Sequence, residues 1–308
     1  MKNPIHAVHF AKIGIICKKS IPEEVEKLEQ VLKFLEKLDK HVVLDKHAAD
    51  ALNQKYGKKK NWKMRRGSSK IDICATVDMI VTLGGDGTLL KTARSLTKPE
   101  TTVFAINVGN LGFLTEATLK DFEKKMTAFL KGKYVMDPRS LLHVTLRRKN
   151  KTIFESLALN DAVINQGSFA RLIKLGVRID ELDAASFKAD GLVVATPTGS
   201  TGHSLSAGGP IVHARVGGFV ITPICPALLS MRPIIIPDER IVTIRIETER
   251  REEEIKIGLT LDGQNTIGLI YDDEVIIKKA PQHLDLIRAV DRNYYEILNQ
   301  KLHWGYEE

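Results

Sequence analysis

The chain has 308 residues, 43% of them hydrophobic and 27% charged, which reads as a globular protein long enough for two packed domains. Its formal net charge of +8 points to an anionic partner (a nucleotide, a nucleic acid or an acidic membrane surface) without choosing among them. Cys17, Cys74 and Cys225 lie far apart with no C-x-x-C pair, which argues against a disulfide framework or a zinc site and for a reducing compartment.

The amino terminus, MKNPIHAVHFAK, lacks the unbroken apolar core of a secretory signal. The most apolar later stretch, Phe219 to Leu229, is interrupted by Pro223 and Pro226 and is too short to span a bilayer. A cytoplasmic protein is expected.

KIGIIC (12–17) suits a buried parallel strand. From Pro22 the period changes, and Val25, Leu28, Leu32, Leu35 and Leu38 share one helical face. HVVLD (41–45) returns to strand character, and YGKKKNWKMRRGSSK (56–70) is basic and weakly patterned. MIVTL (79–83) reads as strand, TLLKTARSL (88–96) as helix and TVFAINVG (102–109) as strand. This alternation predicts a Rossmann-like α/β domain with a parallel sheet.

After a helical segment, DFEKKMTAFLKG (121–132), the texture changes. LHVTLRR (142–148), RLIKLGVRID (171–180), RIVTIRIET (240–248), EIKIGLTLD (254–262) and EVIIKK (274–279) alternate or carry β-branched residues. Turn signals such as Lys149-Asn150 and Asp272-Asp273 separate several of them, so the second domain is expected to be β-rich, of sandwich type. The tail, LDLIRAVDRNYYEILNQKLHW, begins as strand and ends as helix. The expected division is 1–116, completed by 290–308, and 117–289.

Between the strand at 79–83 and the helix that follows stands GGDGT (84–88). Strand, glycine-rich turn and helix form a phosphate-binding arrangement: glycines let backbone N–H groups meet phosphate oxygens, and the helix start adds positive partial charge. The run is neither G-x-x-x-x-G-K-[ST] nor G-x-G-x-x-G. A tight turn with Asp86 as a local cap is the competing explanation, but an exposed Asp between glycines has little structural duty.

GGDGT is shared by a superfamily of NAD kinases, diacylglycerol-type lipid kinases and 6-phosphofructokinases. DGLVVATPTGSTGHSLSAGGPIVHA (190–214) resembles the substrate segment of the NAD kinases. NVGNLGFLTE (107–116), LALNDAVI (157–164), TPICPALLSMRPIII (222–236) and LDGQ (261–264) occur in that family's order, so the resemblance runs from about Lys12 to the last strand.

The resemblance implies transfer of the γ-phosphoryl of ATP to the 2′-hydroxyl of the adenosine ribose of NAD, assisted by a divalent cation, Mg²⁺, held by the nucleotide. Asp86 is then the general base, because the acceptor hydroxyl must lose its proton as the phosphoryl arrives. Gly84, Gly85, Gly87 and Thr88 are the expected ATP-phosphate contacts. Expected at NAD are Asp86, Gly87, Lys91, Asn160, Asp161, Arg171, Lys188, Asp190, Thr198, Thr201, Gly202, His203, Ser204, Leu205, Ser206 and Gln264. Asn160-Asp161 resembles a clamp on ribose hydroxyls and the adenine edge.

Three positions depart from the family pattern. Asp161 stands where many members have Glu, Thr201-Gly202-His203 replaces Thr-Ala-Tyr, and Ala227 replaces a common His. Family members commonly form dimers or tetramers, and the same is expected here. Two other readings remain open at the level of sequence. One is a lipid or sugar kinase using the same loop; the T-P-T-G-S-T run argues against it. The other is a nucleic-acid-binding module in which Lys58, Lys59, Lys60, Lys63, Arg65 and Arg66 surround Trp62, against which a mobile charged loop is the blander alternative and a loop reaching over the site to nucleotide phosphates a third.

Overall fold

In a computed structural model the protein is described over residues 10–57, 67–109, 112–167, 172–247 and 257–305. The chain divides into two units, Met1–Pro138 with Leu284–Glu308, and Arg139–His283. Both boundaries fall inside long strands. They differ from the expected cuts near 116 and 290.

The first unit is organised by β1 (Lys12–Cys17), β2 (His41–Leu44), β3 (Met79–Leu83) and β4 (Glu100–Asn107), which run parallel in the order β2-β1-β3-β4. A two-residue strand, β5 (Ala117–Thr118), extends β4 in parallel. Every residue of β3 is buried, which is why it reads as an unbroken apolar run rather than an alternating one.

Between the strands come α1 (Val25–Lys37), α2 (Lys46–Tyr56), α3 (Lys70–Thr76), α4 (Asp86–Ala93) and α5 (Phe122–Leu130). Val25, Leu28, Leu32 and Leu35 of α1 are all buried, as their spacing requires, each stabilising by about 1.5–3 kcal/mol over exposure. Asp45 caps α2, its carboxylate accepting Ala48 N–H at 2.9 Å. The same carboxylate accepts Cys17 N–H at 3.2 Å and so ties α2 to the end of β1. Phe122, Met126 and Phe129 of α5 enter this core, which moves the unit boundary beyond residue 116.

The second unit contains β6 (Val135–Arg148), β7 (Lys151–Ala158), β8 (Asp161–Gln166), β9 (Ile173–Ile179), β10 (Leu182–Ala189) and β11 (Gly191–Ala195). After a single turn of helix, α6 (His203–Ser206), come β12 (Gly218–Ile224), β13 (Ile234–Pro237), β14 (Val242–Ile246), β15 (Ile257–Leu261), β16 (Asn265–Leu269) and β17 (Glu274–Arg288). The last helix, α7 (Tyr294–Leu302), belongs to the first unit.

One antiparallel sheet has the order β13-β12-β11-β8-β15-β16. A second layer has β10-β9-β14-β17, with β6 pairing both β17 and β7. Leu142, Val144 and Ile277 from the second layer share one core with Val194, Phe219 and Leu259 from the first. A β-rich sandwich results.

Register in the first of these sheets brings three turns together. Asp161, which starts β8, lies opposite Ala195, which ends β11; Ala162 lies opposite Leu261, which ends β15. The turns at 159–161, 196–202 and 262–264 therefore emerge at one edge.

Candidate active site

In the first unit GGDGT occupies the carboxyl end of β3, the edge at which open parallel sheets place their ligands. Gly84 N–H donates to Ile106 O at 3.0 Å, and Thr88 N–H to Gly85 O at 2.9 Å, closing the first turn of α4. Gly85 is the helix N-cap, Asp86 is half-buried and Gly87 is exposed. The first amides of a helix lack partners within it, so anions gather at such an end. Thr88 is 7% exposed and faces inward, and Lys91 projects from the exposed side of α4.

Asp86 does not cap its own helix. Its Oδ2 accepts Phe113 N–H at 3.0 Å and its Oδ1 accepts Leu114 N–H at 3.2 Å. Each oxygen takes one N–H and keeps further lone-pair capacity for a substrate proton. A Cβ on Gly112 would lie 2.6 Å from Asp86 Cγ, so this position admits only glycine without displacing the carboxylate. The loop turns about Thr115, whose Oγ1 accepts Gly112 N–H at 2.8 Å.

In the second unit the three turns at the strand ends form one hydrogen-bonded polar cluster. Asp262 accepts three successive amides: Leu159 N–H at 3.2 Å, Asn160 N–H at 2.7 Å and Asp161 N–H at 3.4 Å. Thr196 Oγ1 donates to Leu159 O at 2.6 Å and accepts Gly199 N–H at 3.1 Å. With its backbone gripped from both sides, the Asn160-Asp161 pair is fixed. Asn160 Oδ1 and Asp161 Oδ1 are buried, and neither has a hydrogen-bond partner among the described residues.

Asp161 is 1% exposed, and its Oδ2 lies 3.3 Å from Nδ1 of His203. Burial pushes the Asp161 carboxyl up to about 6; His203 pulls it down and the neighbouring Asp262 pushes it up. His203 itself is exposed and stands against the Gly263 turn.

The other expected residues are spread around these turns. Thr198 is buried, its hydroxyl accepting Arg139 Nη1 at 3.2 Å. Thr201, Gly202 and Leu205 are half-buried beside His203, Ser206 is exposed, and Gln264 is exposed in the hairpin turn. Lys188 is exposed on β10. Asp190 accepts Gln166 Nε2 at 2.8 Å. Ser204 is fully buried, with its hydroxyl 2.8 Å from Thr222 Oγ1. Arg171 and the cluster Lys58–Arg66 lie outside the described residues. Sequence reasoning missed Asp262, Arg139 and the Phe113-Leu114 amides. Asp262 and the Phe113-Leu114 pair do lie in motifs that carry the resemblance, LDGQ (261–264) and NVGNLGFLTE (107–116).

An α/β unit whose helix starts on Gly-Asp-Gly is followed along the chain by a β-rich unit with a fixed pair of open polar acceptors. Residues 13–134 match the ATP-NAD kinase N-terminal domain and residues 159–289 the ATP-NAD kinase C-terminal domain. The NAD kinase of Magnetococcus marinus is 37% identical over 293 residues, covering 95% of this chain and 93% of that one. The NAD kinase of Pseudomonas entomophila is 38% identical over 296 residues, covering 96% of each. Yeast NADH kinase complexed with NADH superposes with a TM-score of 0.86 at 26% identity, covering 96% of this chain and 88% of that one. An Archaeoglobus fulgidus NAD kinase shares the fold, with a TM-score of 0.68 at 23% identity over 95% of this chain and 98% of that one. The chain belongs to the ATP-NAD kinase family.

Proposed function

We propose that this protein transfers the γ-phosphoryl of ATP to the 2′-hydroxyl of the adenosine ribose of NAD, making NADP. The observation that carries the reading is the pair of buried, unpartnered acceptors on Asn160 and Asp161. Leaving such atoms unmet costs about 1–3 kcal/mol each, a cost that a ligand bringing hydroxyl donors removes. A ribose with two neighbouring hydroxyls is such a ligand.

Asp86 is assigned the role of general base. The two amides that hold it support this reading, because they fix the carboxylate while leaving lone pairs open. Gly84, Gly85, Gly87 and Thr88 are assigned to the ATP phosphates at the start of α4. Lys91, Arg171, Lys188, Asp190, Thr198, Thr201, Gly202, His203, Ser204, Leu205, Ser206 and Gln264 complete the proposed NAD contacts.

The divalent cation is assigned to the nucleotide's own phosphates. When bound, Mg²⁺ neutralises charge on the transferring phosphate.

We also propose a cytoplasmic homodimer or homotetramer with no nucleic-acid or membrane partner. Unpaired cysteines support a reducing compartment. Leu228, Leu229, Ile234 and Ile235, each about half exposed or more, support burial against a second copy. Among the described residues no helix is long and apolar enough to cross a membrane. Incubating the purified protein with ATP, Mg²⁺ and NAD, and measuring NADP with an NADP-specific dehydrogenase, tests the central reading; no NADP would refute it.

A further inference from the structure

The loop that grips Asp86 is itself gripped from behind by the carboxyl-terminal segment. Arg292 Nη2 donates to Phe113 O at 3.0 Å, and Arg292 Nη1 to Thr115 O at 2.8 Å. Arg288 Nη1 donates to Leu114 O at 2.9 Å. Three successive carbonyls are thus held by two guanidinium groups. The amides of the first two of those residues are the ones bonded to Asp86.

Glu116 sits between the arginines. Its side chain is 3% exposed, and its carboxylate pairs with Arg292 and lies 3.6 Å from Arg288 Nη1. It also accepts Ala289 N–H at 3.1 Å, and Arg288 Nε donates to Asp137 at 3.1 Å. Two arginines therefore face two carboxylates, which is what allows charges this buried to persist. All of these groups belong to the first unit.

We propose that Arg288 and Arg292, with Glu116 between them, are positioning residues for the general base. Their bonds named above go to backbone carbonyls and to Glu116 and Asp137, and not to Asp86. They fix the peptide planes of residues 113–115, and those planes aim the two N–H groups that orient the carboxylate. A flat, forked guanidinium bonds two carbonyls at once, and a lysine ammonium does not reproduce that geometry. The inference rests on Asp86 being the base, and it gives the tail a part in turnover as well as in folding.

The test compares Arg292→Ala, Arg292→Lys, Asp86→Asn and the double variant Asp86→Asn/Arg292→Ala in the full chain. Each is measured for kcat, for KM toward NAD and ATP, and for Tm. The expected result for Arg292→Ala is a kcat lower by about 10- to 100-fold with both KM values within about twofold, the pattern of a misaimed catalytic group. Arg292→Lys is expected to lose nearly as much. It carries the same readout should the alanine variant fail to fold.

The double variant is expected to be no slower than Asp86→Asn alone, because a misaimed base and a missing one are equivalent. Full kcat in a folded Arg292→Ala or Arg292→Lys overturns the proposal, as does a further loss in the double variant. Wild-type turnover by Asp86→Asn would instead sink the reading of Asp86 as base, whatever the arginine variants do.

Discussion

Asp262 Oδ1 accepts the Asn160 N–H at 2.7 Å across 102 residues of sequence. With its bonds to Leu159 and Asp161, one carboxylate organises the whole turn that carries the Asn160-Asp161 acceptors. Asp262 N–H in turn donates to Asp161 O at 3.0 Å, so the two turns lock reciprocally.

Asp262→Ala should therefore raise KM for NAD by about tenfold or more while lowering kcat less, because it loosens ground-state contacts made by Asn160 and Asp161. Three amides left without their acceptor should also cost stability, on the order of 1–3 kcal/mol, visible in urea denaturation. A variant with an unchanged KM would show that the turn holds its shape without Asp262.

The raised Asp161 carboxyl gives the protein a pH dependence of definite sign. At about 6 in the fold it is protonated there more readily than in the unfolded chain, where carboxylates titrate near 4. Below the unfolded value both states are neutral and Asp161 has no effect. Its destabilising contribution grows as pH rises toward 6 and is fully present above that, on the order of 2–3 kcal/mol. Asp161→Asn should thus stabilise the ligand-free protein at pH 8 and make no difference near pH 4; equal stabilisation at both would refute the assignment.

Substrate binding should depend on the same group in the opposite sense. An ionised Asp161 is the stronger acceptor for ribose hydroxyls. kcat/KM for NAD is expected to fall as pH drops through about 6. Because His203 pulls the Asp161 carboxyl down, His203→Ala should move that inflection upward. An inflection that stays in place would remove His203 as the electrostatic partner.

The two adjacent glycines of GGDGT should separate folding from function. A Cβ at Gly84 would lie 2.9 Å from Thr88 Cβ, so Gly84→Ala forces the start of α4 apart and should lower Tm markedly. Gly85 has φ −94°, ordinary for any residue, and the nearest atom to its Cβ position is 4.0 Å away. Gly85→Ala should fold normally yet raise KM for ATP by about tenfold, since an added methyl group stands where phosphate approaches. A normal KM in that variant would dissociate Gly85 from nucleotide binding.

These relationships also show why some of the molecule was legible in the sequence. β1 and β3 coincide with KIGIIC and MIVTL because buried parallel strands leave continuous apolar runs between turn signals. GGDGT was legible as a local pattern, a strand running into glycines and a helix start, whereas Asn160-Asp161 was legible only through the resemblance, since alone it reads as a turn before a strand. Asp262 was not, since the meaning of LDGQ lies in amides a hundred residues earlier. The Ser204–Thr222 hydroxyl contact was not legible either, because a hydroxyl in a glycine-rich run carries no mark of the partner it meets. The unit boundary was hidden for a similar reason: α5 reads as an isolated amphipathic helix, and only Phe122, Met126 and Phe129 in the first core reveal its allegiance.

We assign to the carboxylate at the start of α4 the removal of the proton from the ribose 2′-hydroxyl as phosphate arrives. The most direct test of that assignment is the rate of NADP formation by Asp86→Asn beside the unaltered protein, with NAD binding measured by calorimetry on both. The expected result is a kcat lower by about 10²- to 10⁴-fold with NAD binding retained. NADP formed at the unaltered rate by Asp86→Asn would contradict the account.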